Sequence, residues 1–487
     1  MEFRKNSLVG LIFLASGSLL ASGMAVPVSS VGAASTADAN AAEADTPATL
    51  VANPAGLTYL TGTIIENNLF ILQPHFYYTG GKGYYFRTHE PIGGSTSGSI
   101  GHRLEIPGLF FSHRFPGKLA IGFGMYAPFG ADFAYPLDSV MRYNGNRVRI
   151  ISVSFNPNVA IKLNAKHSLG LGIYGIYSQG KVRQFADITH GVYSYAHRFT
   201  PLFDPIVPTL IPAGAFEAYA TLKAKGWGYG FNLGWLWDVN DVLRVGLSFR
   251  SKTHTTFKGM GLWQTYDYGW DWPIVGPVME NIMRRVGYVN KEPVRYTLTY
   301  PEVWQMHVKW QANDRLALLG NLAFSRNSQQ NSIHINWTQP KMGPDASTNA
   351  PALTSRDYTN VLLNFKDSLK LSLGLTYQYS DPLQLRAGVM FDQSAARGPK
   401  GRSPITPDND RFLLGLGANY RYNSHLSIGG SYNFLRVKDS KIEATNYCGS
   451  KIELGPGAHS CVDSRGRATG MVRSRAHIVG LNIRYQF

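Results

Sequence analysis

This chain of 487 residues is short of cysteine, of charge and of long apolar runs. Two cysteines, Cys448 and Cys461, allow neither a clustered metal centre nor a disulfide framework. Charged residues make up only 16%, and bases outnumber acids 47 to 31, for a net charge of +16. Past the N-terminal run, which reads as a secretory signal or else as an uncleaved anchor, no apolar stretch approaches the roughly 20 residues a membrane helix needs. The HExxH and GxSxG patterns of metal- and serine-dependent hydrolases are absent. Gly170 to Gly175 matches GxGxxG by its letters, but it lies in a strand-like pattern with no helix after it. No catalytic residue, metal or cofactor is therefore expected, and a lipid hydrolase or an adhesin remains only as the rival reading.

What the chain does have is aromatic residues (13%, with 27 Tyr and 25 Phe) and 51 glycines, at a mean hydropathy of −0.14. That combination suits a wall whose lipid-facing and lumen-facing residues alternate, so that the average cancels, and composition alone leaves a large soluble β-sandwich as the alternative. The alternation is explicit. Leu369, Leu371, Leu373, Leu375, Tyr377 and Tyr379 share one face, and Lys370, Ser372, Gly374, Thr376 and Gln378 the other. Similar runs occur at 169–178, 227–237, 414–422 and 426–434, and the chain finishes on Val479, Leu481, Ile483, Tyr485 and Phe487. On a soluble strand such a face would invite aggregation; in lipid it is the outer surface. Short polar turns such as Asn313-Asp314 alternate with long connections. The expectation is an all-β transmembrane antiparallel barrel of about 14 strands, with both chain ends on the short-turn side.

The N-terminus reads as three segments. Arg4 and Lys5, followed by the apolar run Leu8–Leu20, suggest a signal peptide over 1–25, cleaved after Ala25 or near Ala21. Residues 26–61 are rich in Ala, Ser and Thr, carry the acids Asp38, Glu43 and Asp45, and lack alternation, so they are expected to fill the lumen as a plug. Residues 62–487 then form the barrel. Within the plug, Asn53-Pro54-Ala55-Gly56 is equally explained by an ordinary surface turn.

Asn-Pro-Ala-Gly-Leu after an Ala-rich stretch resembles the hatch of the FadL/TodX family of outer-membrane transporters of hydrophobic compounds. Barrel segments of the same family are resembled, in order, by Tyr126-Ala127-Pro128-Phe129-Gly130 (third strand), Asn156-Pro157-Asn158-Val159-Ala160 (fourth), Leu222 to Asn232 (sixth), Phe249-Arg250-Ser251 (seventh), Tyr300-Pro301-Glu302-Val303-Trp304 and Thr406 to Arg411. The resemblance implies a hatch-stoppered barrel of fourteen strands in the bacterial outer membrane. It also implies passive uptake of hydrophobic molecules, long-chain fatty acids first and aromatic or alkane hydrocarbons as the alternative, with lateral exit through a kink in the third strand. Pro128 and Gly130 support such a kink independently, because Pro lacks the donor a central strand needs. Ala127, Pro128, Phe129 and Gly130 are thus the expected opening, and Asn53 is a candidate to cap the backbone groups it frees.

Two apolar loops are expected to gather ligand, through Phe199, Phe203 and Ile206 on one and Trp263, Trp270, Trp272, Ile282 and Met283 on the other, unless they merely pack together. A short helix from Pro277 should carry Val278, Met279, Ile282, Met283 and Val286 on one stripe. Lys181, Arg183, Arg250 and Arg326 are candidates to bind a carboxylate head group, or else solvated rim charges. Cys448 and Cys461 are expected to staple a loop, for about 3 kcal/mol. Nucleic acid is a poor partner for an exported chain, so the basic excess is expected to meet anionic outer-membrane lipid or lipopolysaccharide. A monomer is expected.

Overall fold

The computed structural model describes residues 28–85, 88–189, 212–266, 268–330, 332–344, 353–363, 365–444 and 466–487. Cys448, Cys461, Phe199, Phe203, Ile206 and the first 25 residues lie outside the described residues.

Fourteen antiparallel strands close into a barrel. They are β1 (Thr63–Tyr84), β2 (Leu104–Arg114), β3 (Leu119–Tyr126 with Gly130–Ala134), β4 (Arg147–Lys162), β5 (His167–Asp187), β6 (Glu217–Asp238) and β7 (Leu243–Arg250 with Thr253–Tyr266). They continue as β8 (Lys291–Tyr300 with Val303–Gln311), β9 (Leu316–Ser325 with Ser332–Pro344), β10 (Leu353–Leu362 with Ser368–Gln378), β11 (Leu383–Asp392), β12 (Arg411–Arg421), β13 (Leu426–Ala444) and β14 (Arg467–Gln486). Closure is made by β1 on β14, paired from Ile64 opposite Gln486 to Tyr84 opposite Arg467. No edge strand is left to pair with another chain.

Alternation sets the register. On β12, Leu414 and Leu416 face outward and are exposed, while Gly415 and Gly417 face in and touch the plug. A register slip of one residue would exchange these faces and put leucine against the plug. The outer surface carries two aromatic levels on β6, Trp227 with Tyr229 and, toward the short turns, Trp235 with Trp237. Ten residues separate Trp227 from Trp237, roughly 33 Å of strand, or about 25 Å of membrane depth at the usual tilt. That is the height of an outer-membrane apolar band.

Residues 28–60 lie inside the barrel as the plug. A short helix, α1 (Val31–Ser35), starts at Ser30, whose Oγ accepts from the Ala33 N–H at 3.2 Å. A second, α2 (Thr49–Ala52), ends at Asn53, and a 3-10 turn over Pro54–Tyr59 leads into the wall. Helices this short are marginal alone, so the plug depends on the wall for its shape. Two glycines show how close the two come. A Cβ on Gly170 of β5 would overlap the Pro54–Ala55 backbone, and one on Gly388 of β11 would overlap Thr36.

Candidate functional site: the plugged lumen and the break in strand 3

The wall reaches the plug mainly through side-chain donors that bond plug carbonyls. Asn433 donates to Ala34 O at 2.6 Å, Asn321 to Asp38 O at 3.0 Å, Asn232 to Leu50 O at 3.2 Å, and Arg114 to Thr58 O at 2.8 Å. The plug's acids are met by lumen bases. Arg386 on β11 pairs with Asp45 and lies 3.5 Å from Glu43; Lys370 on β10 pairs with Asp38. Burial pushes the Glu43 carboxyl above its ordinary range, with Arg386 pulling the other way and Asp45 adding to the rise. Asp45 is also buried, but Arg386 and Arg484 outweigh the burial and hold it below its ordinary range. Arg386 and Lys370 did not stand out in the sequence. Their signal was a charged residue on an inward face otherwise made of small and polar side chains.

Asn53 does something other than cap strand 3. Its Nδ2 donates to Trp235 O on β6 (3.1 Å) and Leu247 O on β7 (3.2 Å), and its Oδ1 accepts from the Ala55 N–H at 3.1 Å. The plug is thus pinned to β6 and β7, three and four strands along the wall from β3. The backbone freed in β3 is capped by Ser152 on β4, whose Oγ accepts from the Phe129 N–H at 3.0 Å and donates to Phe129 O.

The break itself lies where Pro128 and Gly130 place it. Four steps along β3, Tyr126 to Gly130, span three along β4, Ser154 to Ile151, so one residue is extra. On its other side β3 pairs with β2 only as far as Met125 opposite Leu109. Beyond that the two strands meet again at a single bridge, Gly101 with Phe133. The ladder between β2 and β3 therefore stands open over 126–132. Phe129 leaves the wall and stacks on Tyr300 of β8, ring centroids 3.9 Å apart.

Behind the break is a cavity of about 160 Å³, lined by plug residues Val28 and Val51, by Ala127 to Phe129, and by Arg250, Lys370 and Asp392. Arg250 donates from Nη2 to Tyr126 Oη (2.8 Å) and Val51 O (3.1 Å), and stacks over Tyr174. Its Nη1 is sealed from solvent with no hydrogen-bond partner, and no carboxylate pairs with it among the described residues. Of the four head-group candidates, Arg250 alone faces the lumen. Arg326 is an exposed rim residue held by Glu302 at 2.8 Å. Lys181 and Arg183 share the face of Leu169, Leu171 and Tyr177, so they lie outside the barrel.

The described loop residues pack on themselves. Trp263 and Met283 are buried; Trp270 and Trp272 sit edge-on to Phe216, and Trp270 donates to Glu217 O at 2.8 Å. The helix, α3 (Val275–Arg285), buries Met279, Met283 and Val286 and leaves Ile282 half-buried. Val278, expected on the same stripe, is 55% exposed beside the exposed Ile274.

The sequence profile of the outer membrane protein transport proteins (OMPP1/FadL/TodX) matches residues 12–487. The chain belongs to the OMPP1/FadL/TodX family. Among curated FadL/TodX relatives, a putative outer membrane protein of Neisseria meningitidis serogroup B is 31% identical over 99% of this chain and 97% of its own length. A long-chain fatty acid transport protein of Shigella flexneri is 26% identical over 62% of this chain and 64% of its own. The crystal structure of a FadL homologue of Pseudomonas aeruginosa superposes with a TM-score of 0.79, at 20% identity, covering 96% of this chain and all of that one. As a FadL/TodX protein the chain is an outer-membrane transporter of hydrophobic compounds and not an enzyme.

Proposed function

We propose that this protein takes up long-chain fatty acids by a passive route that ends sideways in the membrane. The loop surface around Trp263, Trp270, Trp272, Ile282 and Met283 gathers the ligand. The acyl chain then enters the lumen, where burial of each CH₂ contributes about 0.8 kcal/mol. Arg250 receives the carboxylate on its unpartnered Nη1. The plug segment with Asn53, Pro54, Ala55 and Gly56 shifts, and the ligand leaves past Ala127–Gly130 into lipid. The relative from Shigella, named as a fatty acid transporter, supports this substrate class. The observation that carries the route is the unpaired stretch between β2 and β3 with a cavity directly behind it.

The cavity's size keeps aromatic hydrocarbons as a second reading. At about 160 Å³ it resembles apolar cavities of about 150 Å³ that admit benzene. A long acyl chain needs the plug to move; a monocyclic aromatic does not.

The extra residue in β3 provides the test. Deleting Ala127 restores an even count against β4 and should close the gap. Labelled oleate uptake, in cells with no other fatty acid carrier, should fall at least tenfold while the barrel still folds and inserts. Unchanged uptake by a folded deletion variant would remove the lateral route.

A further inference from the structure

Directly above the outer aromatic level, the wall carries an array of bases with almost no acids. Residues opposite one another on neighbouring strands share a face, so the array can be followed across the register. Tyr177, Trp227 and Thr256 form the aromatic-level row. One outward position higher, Lys225 stands opposite Lys258, and Lys258 opposite Arg295. Higher again, Arg149 is opposite Lys181 and Lys181 opposite Lys223; above them Arg147 faces Arg183. The array thus spans β4 to β8 and begins about 7 Å along the strand from Trp227.

Like charges directly opposite are destabilising, and here they recur strand after strand. Among the described residues the acid within the array is Asp132, 3.7 Å from both Arg147 and Arg149 and from His102. Glu217, higher on β6, is held by Arg142 at 2.6 Å. Arg183 is engaged by Asn146 (3.3 Å) and lies over Tyr219. Lys181, Lys223, Lys225, Lys258 and Arg295 have no carboxylate within ion-pair distance among the described residues. Lys223, Lys225, Lys258 and Arg295 are exposed. Below them on β4 to β6 the same face turns aromatic, where Phe155, Tyr177, Trp227 and Tyr229 form one ring cluster, while on β7 and β8 it carries the hydrogen-bonded pairs Thr256–Thr297 and His254–Thr299.

We infer that this ledge is a binding site for the phosphorylated sugar head of an outer-leaflet glycolipid, lipopolysaccharide. Phosphates on the head group meet the Lys and Arg rows through charge-assisted hydrogen bonds. The acyl chains lie against the aromatic cluster below. The level of the ledge decides for a lipid over a diffusible anion. Its lowest row begins at the edge of the apolar band, where an acylated phosphate must sit and where a free anion gains nothing from the rings beneath. The ledge is on the outside of the wall and independent of the Arg250 cavity.

The test uses the full-length protein in detergent and purified lipid A as the probe. Binding of bisphosphorylated and of fully dephosphorylated lipid A is compared for the wild type and for a variant carrying Lys223→Gln, Lys225→Gln, Lys258→Gln and Arg295→Gln. The wild type should bind the phosphorylated form at least tenfold more tightly, and the variant should lose that preference while binding dephosphorylated lipid A as before. A second variant with the three lysines replaced by Arg should keep the preference. No preference in the wild type, or an undiminished one in the folded Gln variant, would overturn the assignment. So would displacement of the lipid by equimolar inorganic phosphate, which would make the ledge a site for free anions. Oleate uptake should be unchanged in the Gln variant, so this inference and the transport proposal fail separately.

Discussion

On the proposed route, Arg250 is the residue on which substrate class turns. A guanidinium lining the cavity behind the break, with one sealed nitrogen lacking a partner, is matched to a carboxylate. Hydrogen bonds to charged groups contribute about 1.5–3 kcal/mol, a factor of roughly ten to a hundred. Arg250→Gln should therefore lower oleate affinity by that factor while leaving toluene uptake unchanged, as read from parallel uptake assays. Equal loss for both ligands would make Arg250 a plug anchor through Val51 and nothing more. Arg386 is the corresponding residue for the plug. Removing one partner of a buried pair costs about 3–5 kcal/mol, because the other charge stays behind unpaired. Arg386→Met removes the ion-pair partner of Glu43 and Asp45 and leaves Asp45 only the more distant Arg484. The plug should loosen, seen as higher single-channel conductance in planar bilayers and faster deuterium exchange across residues 28–60.

At the scale of elements, strands and kink were legible in the sequence to different degrees. Leu369 to Leu375 announced their strand because lipid leaves no choice at alternate positions. Pro128 and Gly130 announced the break because one lacks a donor and the other a side chain. Lys181 and Arg183 stood open between head-group ligands and solvated rim charges, and counting by twos from Tyr177 puts both outside. Val278 lies on the exposed side of its helix, one turn from the exposed Ile274, although helical spacing also fits it to the apolar stripe. The partners of Asn53 had no signal at all. They are main-chain carbonyls 182 and 194 residues away, and carbonyls carry no side-chain identity. Ser152 is similar: one serine on an inward face of small residues is not distinctive until the break opposite it is known.

For the whole molecule, the physical problem is to let a greasy solute cross the polar outer surface without leaving an open pore. A barrel of fourteen strands would be wide enough for water if empty. Filling it with a plug held largely by side-chain bonds to its carbonyls keeps it shut, yet leaves each attachment individually replaceable. On the proposed route, the gap in one ladder connects the lumen to lipid without any edge long enough to aggregate. The most direct measurement places cysteines at Pro107 and Ala127, the positions that would face each other if β2 and β3 stayed paired, and bridges them with a short reducible cross-linker. With the bridge in place oleate uptake should stop, and reduction should restore it. Full uptake with the bridge intact would show that the ligand leaves by some other path.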